Sequence, residues 1–495
     1  MAADPLAVLV KGGLLVSGNA ISRQDVLIDQ GKVVRVADGL SPEGVRAIVD
    51  ARGKYVLPGG IDSHAHPIFA DKMDTYSICA AYGGVTTVIA FIGSETHRHK
   101  ELGNTWGIRE YNPDIVKGFI EYGQHVSYTD FAIHGLITMR DRDDLRQVVP
   151  ELIRLGVISF KMFMTWNPWM SGVQSNLLGV PDEVIVEVMN LSSQHGALPM
   201  VHAENGCCKA FLESEYRAKG LVSRHHWLPS APNILESEAV NRAATMAFVT
   251  KSPLYPVHLS TREVIPILEH YKGLGLSLYG ETCPHYLALT NDDLISRGHD
   301  LKVAPPLRED QDRQAMWDGI GDGAIQVIGS DFTGYTRKLK LGARAGMSPM
   351  ELADSEENIF DVASGLTTLE FMMPVVWTLG VNTGRITLPR FVELFAENPA
   401  KIFGLYPRKG TLQVGSDADL VVWDPAKRHV VDEEHGLSDL GNFRGMELLG
   451  MPVLTMVRGQ IVVKDGKLSG KSGNALFIPG DPDVASYAKN GFHVK

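Results

Sequence analysis

The chain has 495 residues, 44% hydrophobic and 21% charged, ordinary globular proportions that exclude large-scale disorder and supply apolar side chain for one large domain and a smaller one. Forty-seven basic residues against 58 acidic ones give a net charge of -11, and no long Lys/Arg cluster follows a phosphate backbone, so nucleic acid is not an expected partner. The opening MAADPLAVLVKGGLLVSG, broken by Lys11 and glycines, fits neither a signal peptide nor a membrane span, and Cys79, Cys207, Cys208 and Cys283 lack the spacing of a disulfide framework or a zinc knuckle; no membrane partner and a cytoplasmic location are expected.

In chain order, residues 6 to 56 alternate β-rich runs (AVLVKGGLLV, DVLIDQGKVVRVA, RAIVDARGKYV) with Gly and Asn turns, the texture of a small antiparallel sheet. DADLVVWDP and PVLTMVRGQIVVKDGKL repeat it near the other end. The termini are therefore expected to pair into a small β-sandwich domain, 1–56 with 407–470, flanking a middle domain at 57–406 and followed by an arm at 471–495. Between them, short apolar runs separated by long amphipathic stretches predict βαβ units around a parallel sheet. Candidate strands are 59–66, 85–92, 131–137, 157–164, 198–204, 254–260, 276–282 and 325–331. Eight such strands close most naturally into a (β/α)8 TIM-type barrel of class α/β, with its active site at their carboxyl ends.

His64 and His66, at i and i+2 near the end of the first of these strands, project to one face and suit a shared cation. Lys161 lies inside the apolar run SFKMFM, where an unpaired ammonium is costly. Either an internal carboxylate pairs with it, the answer the residues alone favour, or the amine has become a carbamate that bridges two metals. His202 in MVHAEN, His258 in PVHLST and Asp331 in VIGSD also fall at strand ends. Together the six outweigh the bland reading of each as a core residue, and imidazoles with carboxylate-type oxygens suit zinc, manganese or related ions. His97, His99, His225, His226 and His270 sit in polar stretches and read as solvated.

GGIDSHAHP, FKMFM, VHAENG, PVHLST, GETCPHYLAL, VAPPLRE, IGSD and ENPAKIFGLYPRKGTLQVGSDADLVVWDP follow one another as in the hydantoinase/dihydropyrimidinase group of cyclic amidohydrolases, which the chain resembles over nearly its whole length. The resemblance implies that His64, His66 and Asp331 hold one divalent ion and His202 and His258 another, most often Zn2+ with Mn2+ as the alternative, bridged by carboxylated Lys161. It also implies a homotetramer or homodimer and a small cyclic amide as substrate. Asp331 is the expected proton shuttle.

The pocket departs from the family. Trp166 stands where a tyrosine usually donates to the developing oxyanion, and an indole N–H can donate but not accept. Ala304 replaces a serine before PPLR, Ala363-Ser364-Gly365 replaces a Pro-Asn-Gly turn, and Phe332-Thr333-Gly334 follows Asp331 in place of His-Cys/Ser-Pro. Trp166, Phe332, Ala304 and Ser364 are thus the substrate-binding candidates, and Trp166, Trp169, Phe69 and Phe332 are expected to crowd the barrel mouth and favour a bulky or aromatic substituent. The expected activity is opening of the C–N amide bond of a cyclic ureide or imide. Its alternatives are another ring, an acyclic amide or urea, and, least in keeping with a filled ligand set, a non-catalytic assembly protein.

Overall fold

The computed structural model describes residues 7–93, 112–165, 179–341 and 358–487. Its centre is a seven-stranded sheet in the order Tyr255–Pro256, Leu198–His202, Ser159–Phe163, Asp130–Leu136, Val85–Gly93, Gly60–His66 and Phe332–Thr333. Every neighbouring pair is parallel. Helices Met73–Tyr82, Asn112–Val126, Leu145–Arg154, Asp182–His195 and Asn233–Thr250 fill the crossovers between successive strands. The inner strands are buried along their whole length, as VTTVIAFIG and DFAIHGL require when both faces of a parallel sheet are covered.

A second parallel pair, Gly280–Thr282 with Ile325–Ile328, stands beside this sheet. Leu278 bridges Leu254 on one side, and the chain leaving Ile328 pairs Phe332 with Ala65 on the other. The expected strands 254–260 and 325–331 are cut short for backbone reasons. Pro256 has no N–H to give a ladder, and His258 and Asp331 take positive φ values of 39° and 47°, which end extended structure. The fold is α/β.

Strands from both chain ends share a sheet ordered Lys467–Leu468, Gln460–Lys464, Glu447–Val457, Leu420–Val430, Tyr55–Pro58, Leu14–Val16, Ile21–Arg23. A four-stranded sheet, Lys32–Ala37, Asp25–Asp29, Val8–Lys11 and Ala47–Asp50, contributes Val8, Val26 and Ile28 to the same apolar cluster as Val56, Leu420 and Leu454. Lys409 ties this region to the central sheet. Its buried ammonium meets Asp130 at 2.5 Å, Asp419 at 2.6 Å and Asp417 at 3.0 Å. The last described residues run under the same chain's parallel strands, Ile478 N donating to Phe131 O at 2.7 Å and Tyr487 packing in the cluster that holds Ile158 and Leu198. No helix among the described residues is long and apolar enough to cross a membrane.

Candidate metal centre

Parallel strands deliver their carboxyl ends to one face of the sheet, and there the six expected residues meet. Single donor atoms of His64, His258 and Asp331 lie within 4.8 Å of one another. Asp331 Oδ1 is 3.0 Å from His64 Nε2 and 3.4 Å from His66 Nε2, while Lys161 Nζ is 3.5 Å from His64 Nε2. The rings of His202 and His258 are 4.6 Å apart, edge to face. Phe91 forms the floor, stacked on His66 at 5.1 Å and beneath the Lys161 ammonium at 4.6 Å.

Residues behind the cluster fix these orientations. Glu281 is fully buried and accepts from His64 Nδ1 at 2.6 Å, Ser63 Oγ at 2.8 Å, Tyr255 Oη at 2.8 Å and the His258 amide at 3.1 Å. It thereby aims His64 Nε2 at the centre, the way carboxylates commonly orient metal-binding imidazoles. Gly329 makes room for it, since a Cβ there would lie 2.7 Å from Glu281 Oε2 and 2.8 Å from His64 Cβ. Asp62 accepts from Ser330 Oγ at 2.6 Å and from Tyr76 Oη, locking the IGSD turn to the first strand of the sheet. His202 gives Nε2 to Glu204 at 2.7 Å, which leaves Nδ1 for the centre, and Glu204 is paired in turn with Lys209. The sequence reading singled out neither Glu281 nor Ser330. Their signal was a charge and a hydroxyl inside otherwise apolar strand ends.

The electrostatics suit cation binding. Burial lowers His66 to about 4 and pulls His202 down and His258 far down, so these imidazoles are neutral, the form that ligates. His258 Nδ1 is sealed from solvent and has no hydrogen-bond partner among the described residues. Burial pushes Asp331 up, but His64, His66 and His258 together hold it well below the usual carboxylate range. Lys161 has no carboxylate paired with it among the described residues, so the salt-bridge reading of its sequence setting is not met, and burial lowers it from 10.5 to about 8. Four imidazoles, one carboxylate and an amine lowered to about 8 make a donor set suited to divalent cations.

The pocket candidates divide. Phe332 is a correction: its neighbour Asp331 faces the centre, so alternation sends the ring the opposite way, edge-on to Tyr76 at 5.0 Å in the hydrophobic core, and it lines no mouth. Ala304 and Ser364 are half-buried on adjoining segments, joined by the Lys340 ammonium, which donates to Lys302 O at 2.8 Å and to Gly365 O. Phe69 packs on Tyr335 at 4.5 Å. Trp166, Trp169, His97 and His99 lie outside the described residues.

Residues 166–462 match the model of the amidohydrolase family. The chain belongs to the amidohydrolase family. It is 31% identical to a D-hydantoinase of Ralstonia pickettii over 95% of this chain and 98% of the relative, and 30% identical to a D-phenylhydantoinase of Escherichia coli O1:K1 over 97% and 99%. Among solved structures, a dihydropyrimidinase from Brevibacillus agri superposes with a TM-score of 0.86 at 27% identity, covering 96% of this chain and 99% of that one. This amidohydrolase thus falls in the hydantoinase/dihydropyrimidinase group, and its His64, His258 and Asp331 form a group able to hold the metal on which the family depends.

Proposed function

We propose that the protein is a two-metal hydrolase that opens the C–N amide bond of a cyclic ureide or imide, such as a hydantoin or dihydropyrimidine. The observation that carries this is the meeting of His64, His66, Lys161, His202, His258 and Asp331 at the carboxyl ends of parallel strands, in a chain similar throughout to hydantoinases. In this reading the parallel strands are the staves of a (β/α)8 barrel over 57–406. The terminal sheets make a β-sandwich of 1–56 with 407–470, the arm is 471–495, and the chain works as a cytoplasmic homotetramer or homodimer.

His64, His66 and Asp331 would hold one ion, His202 and His258 the other, with carboxylated Lys161 between them; Zn2+ fits the nitrogen-rich set best and Mn2+ next. When bound, such ions supply Lewis acidity and bring the pKa of water towards neutrality. The chain does the rest. Asp331, held ionised by the imidazoles around it, takes the proton of the attacking water and returns it to the departing nitrogen. Glu281 keeps His64 in register, and Phe91 and Phe163 keep bulk water from Lys161. Phe69, set against Tyr335, gives the pocket an apolar wall suited to a bulky or aromatic ring substituent.

Metal analysis of the purified protein, followed by a panel of cyclic ureides, imides and lactams scored for ring opening, tests the proposal. Two divalent ions per chain and turnover of five- or six-membered ureides are expected. A metal-free protein inert towards the whole panel would falsify it.

A further inference from the structure

A lysine inside a protein is costly to keep charged, and one that meets carbonyls in place of a carboxylate calls for an explanation. Two such lysines stand together beside the candidate site. Lys340 is 0% exposed and Lys302 3%. Neither has a carboxylate within ion-pair distance among the described residues: Asp300, the acid whose charge acts on Lys340, is bound by Arg337, whose Nε donates to it at 3.1 Å. Burial lowers Lys340 from 10.5 to about 7 and pulls Lys302 well below its ordinary value. An apolar side chain of similar length would fill either place without that cost.

What the two amines do is tie two segments of chain together. Lys340 Nζ donates to Lys302 O at 2.8 Å and to Gly365 O, and its own carbonyl accepts from Ala363 N at 2.9 Å. Lys302 holds the same turn from its other side: its carbonyl also accepts from Gly365 N at 3.0 Å, and its Nζ donates to Val362 O. Trp227 fixes the 302–304 segment further, its Nε1 donating to Val303 O at 2.9 Å and its ring facing Lys302 Nζ at 4.1 Å.

The clamped turn leads directly to the backbone of the metal centre. Leu366 O accepts from Thr333 N at 2.9 Å, and Thr333 stands opposite His66 in the strand register. Thr368 Oγ1 donates to Ser330 O at 2.6 Å. Residues 366–368 therefore brace the chain on both sides of Asp331. Gly365, at a φ of 147°, approaches so closely that a Cβ there would lie 1.9 Å from Thr333 Oγ1. The substrate-binding candidates adjoin the clamp: Ser364 lies between the held Ala363 and Gly365, and Ala304 two residues beyond Lys302.

We propose that Lys340 is a positioning residue for the substrate: by joining Lys302 O to Gly365 O it sets the spacing of the 302–304 and 363–365 segments against the metal centre, where the cyclic amide binds. This rests on the cyclic-amide reading above. The amine touches neither substrate nor ion and transfers no proton, and Lys302 supports the same turn. Because a displaced segment weakens the seating of the ring without disarming the centre, loss of the amine falls on KM more than on kcat.

The test is Lys340→Met, which keeps the length and apolar bulk of the side chain and removes its donors. Lys338→Met, exposed on the same helical turn, is the control, and Lys302→Met removes the amine on the other side. Each is compared with wild type on the best cyclic substrate of the panel, with metal content and thermal unfolding. The expected result for Lys340→Met is a KM raised by roughly 10- to 100-fold, the scale of displacing a binding segment by about an ångström. Its kcat should stay within about threefold of wild type, with metal content and unfolding midpoint close to wild type, while Lys302→Met moves KM the same way and Lys338→Met does not. If wild type turns over and Lys340→Met keeps KM within about threefold, or loses only kcat or only stability, the positioning role is overturned while the functional reading stands. Should Lys340→Met fail to fold, an unchanged KM in Lys302→Met overturns it equally. If wild type opens no cyclic amide, the functional reading fails and the positioning role falls with it.

Discussion

Glu281 Oε1 lies 2.6 Å from Nδ1 of His64, so the imidazole that reaches Asp331 and Lys161 through Nε2 is steered from behind by a carboxylate it never shares with the centre. Three further donors, from Ser63, Tyr255 and the His258 amide, hold that carboxylate in turn.

Glu281→Gln keeps the size of the side chain but removes the charge and sets an NH2 against groups that all donate. Metal affinity is expected to fall by about 10- to 100-fold, the usual cost of losing such an orienting partner, with the fold kept. Competition with a chelator, followed by metal analysis, measures this. Wild-type affinity in the variant would mean that His64 needs no support.

Lys161 makes a second, separable prediction. Burial lowers its ammonium from 10.5 to about 8, so the neutral amine, the form that attacks carbon dioxide, increases as pH rises through 8. Reloading of metal into stripped protein is expected to be faster at pH 8.5 than at pH 7 and to be accelerated by bicarbonate. Lys161→Ala is expected to lose metal and activity together, with partial rescue by short-chain carboxylic acids. Full metal occupancy in Lys161→Ala, or reloading indifferent to bicarbonate, would sink the carbamate.

Lys409 tests the frame instead of the centre. Its ammonium compensates Asp130, Asp417 and Asp419; Arg458 Nε, 3.1 Å from Asp130, and Lys32 and Arg408, 2.7 and 2.9 Å from Asp417, share part of the task, while Asp419 has no other cation within ion-pair distance among the described residues. Lys409→Met leaves buried carboxylates facing one another, and a loss of about 3–5 kcal/mol is expected. Denaturant unfolding of the stripped protein reads this without interference from metal. A loss under about 1 kcal/mol would show that the carboxylates find protons or water at little cost.

The parallel strands, and the residues that meet at their ends, were legible in the sequence for one reason: parallel strands buried on both faces are written as continuous apolar runs, so a histidine, lysine or aspartate at their ends stands out. Positions whose meaning depends on which way the chain turns were not legible. Phe332 looked like pocket lining because it adjoins Asp331, but the positive φ of Asp331 and the alternation after it turn the ring into the core. Glu281 was hidden because its role lies in contacts with Ser63 and His64, more than two hundred positions away, and no local spacing records such a meeting.

The last prediction concerns the proton. Asp331 is held ionised, against its burial, by His64, His66 and His258, and it occupies left-handed backbone at a φ of 47°. Asparagine is one of the few residues that tolerate this conformation as readily as aspartate, so Asp331→Asn alters the chemistry without straining the turn that Ser330 and Asp62 lock in place. The amide oxygen still coordinates weakly but cannot take a proton from water. Much of the metal should therefore remain, while kcat falls by roughly 10²- to 10⁴-fold, the range of a lost general base. Single-turnover kinetics beside metal analysis separate the two effects. A rate within about tenfold of wild type, equivalent to roughly 1.4 kcal/mol in the barrier, would move the shuttle to another group. A parallel loss of metal and rate would make Asp331 a ligand first and leave its role as base without support.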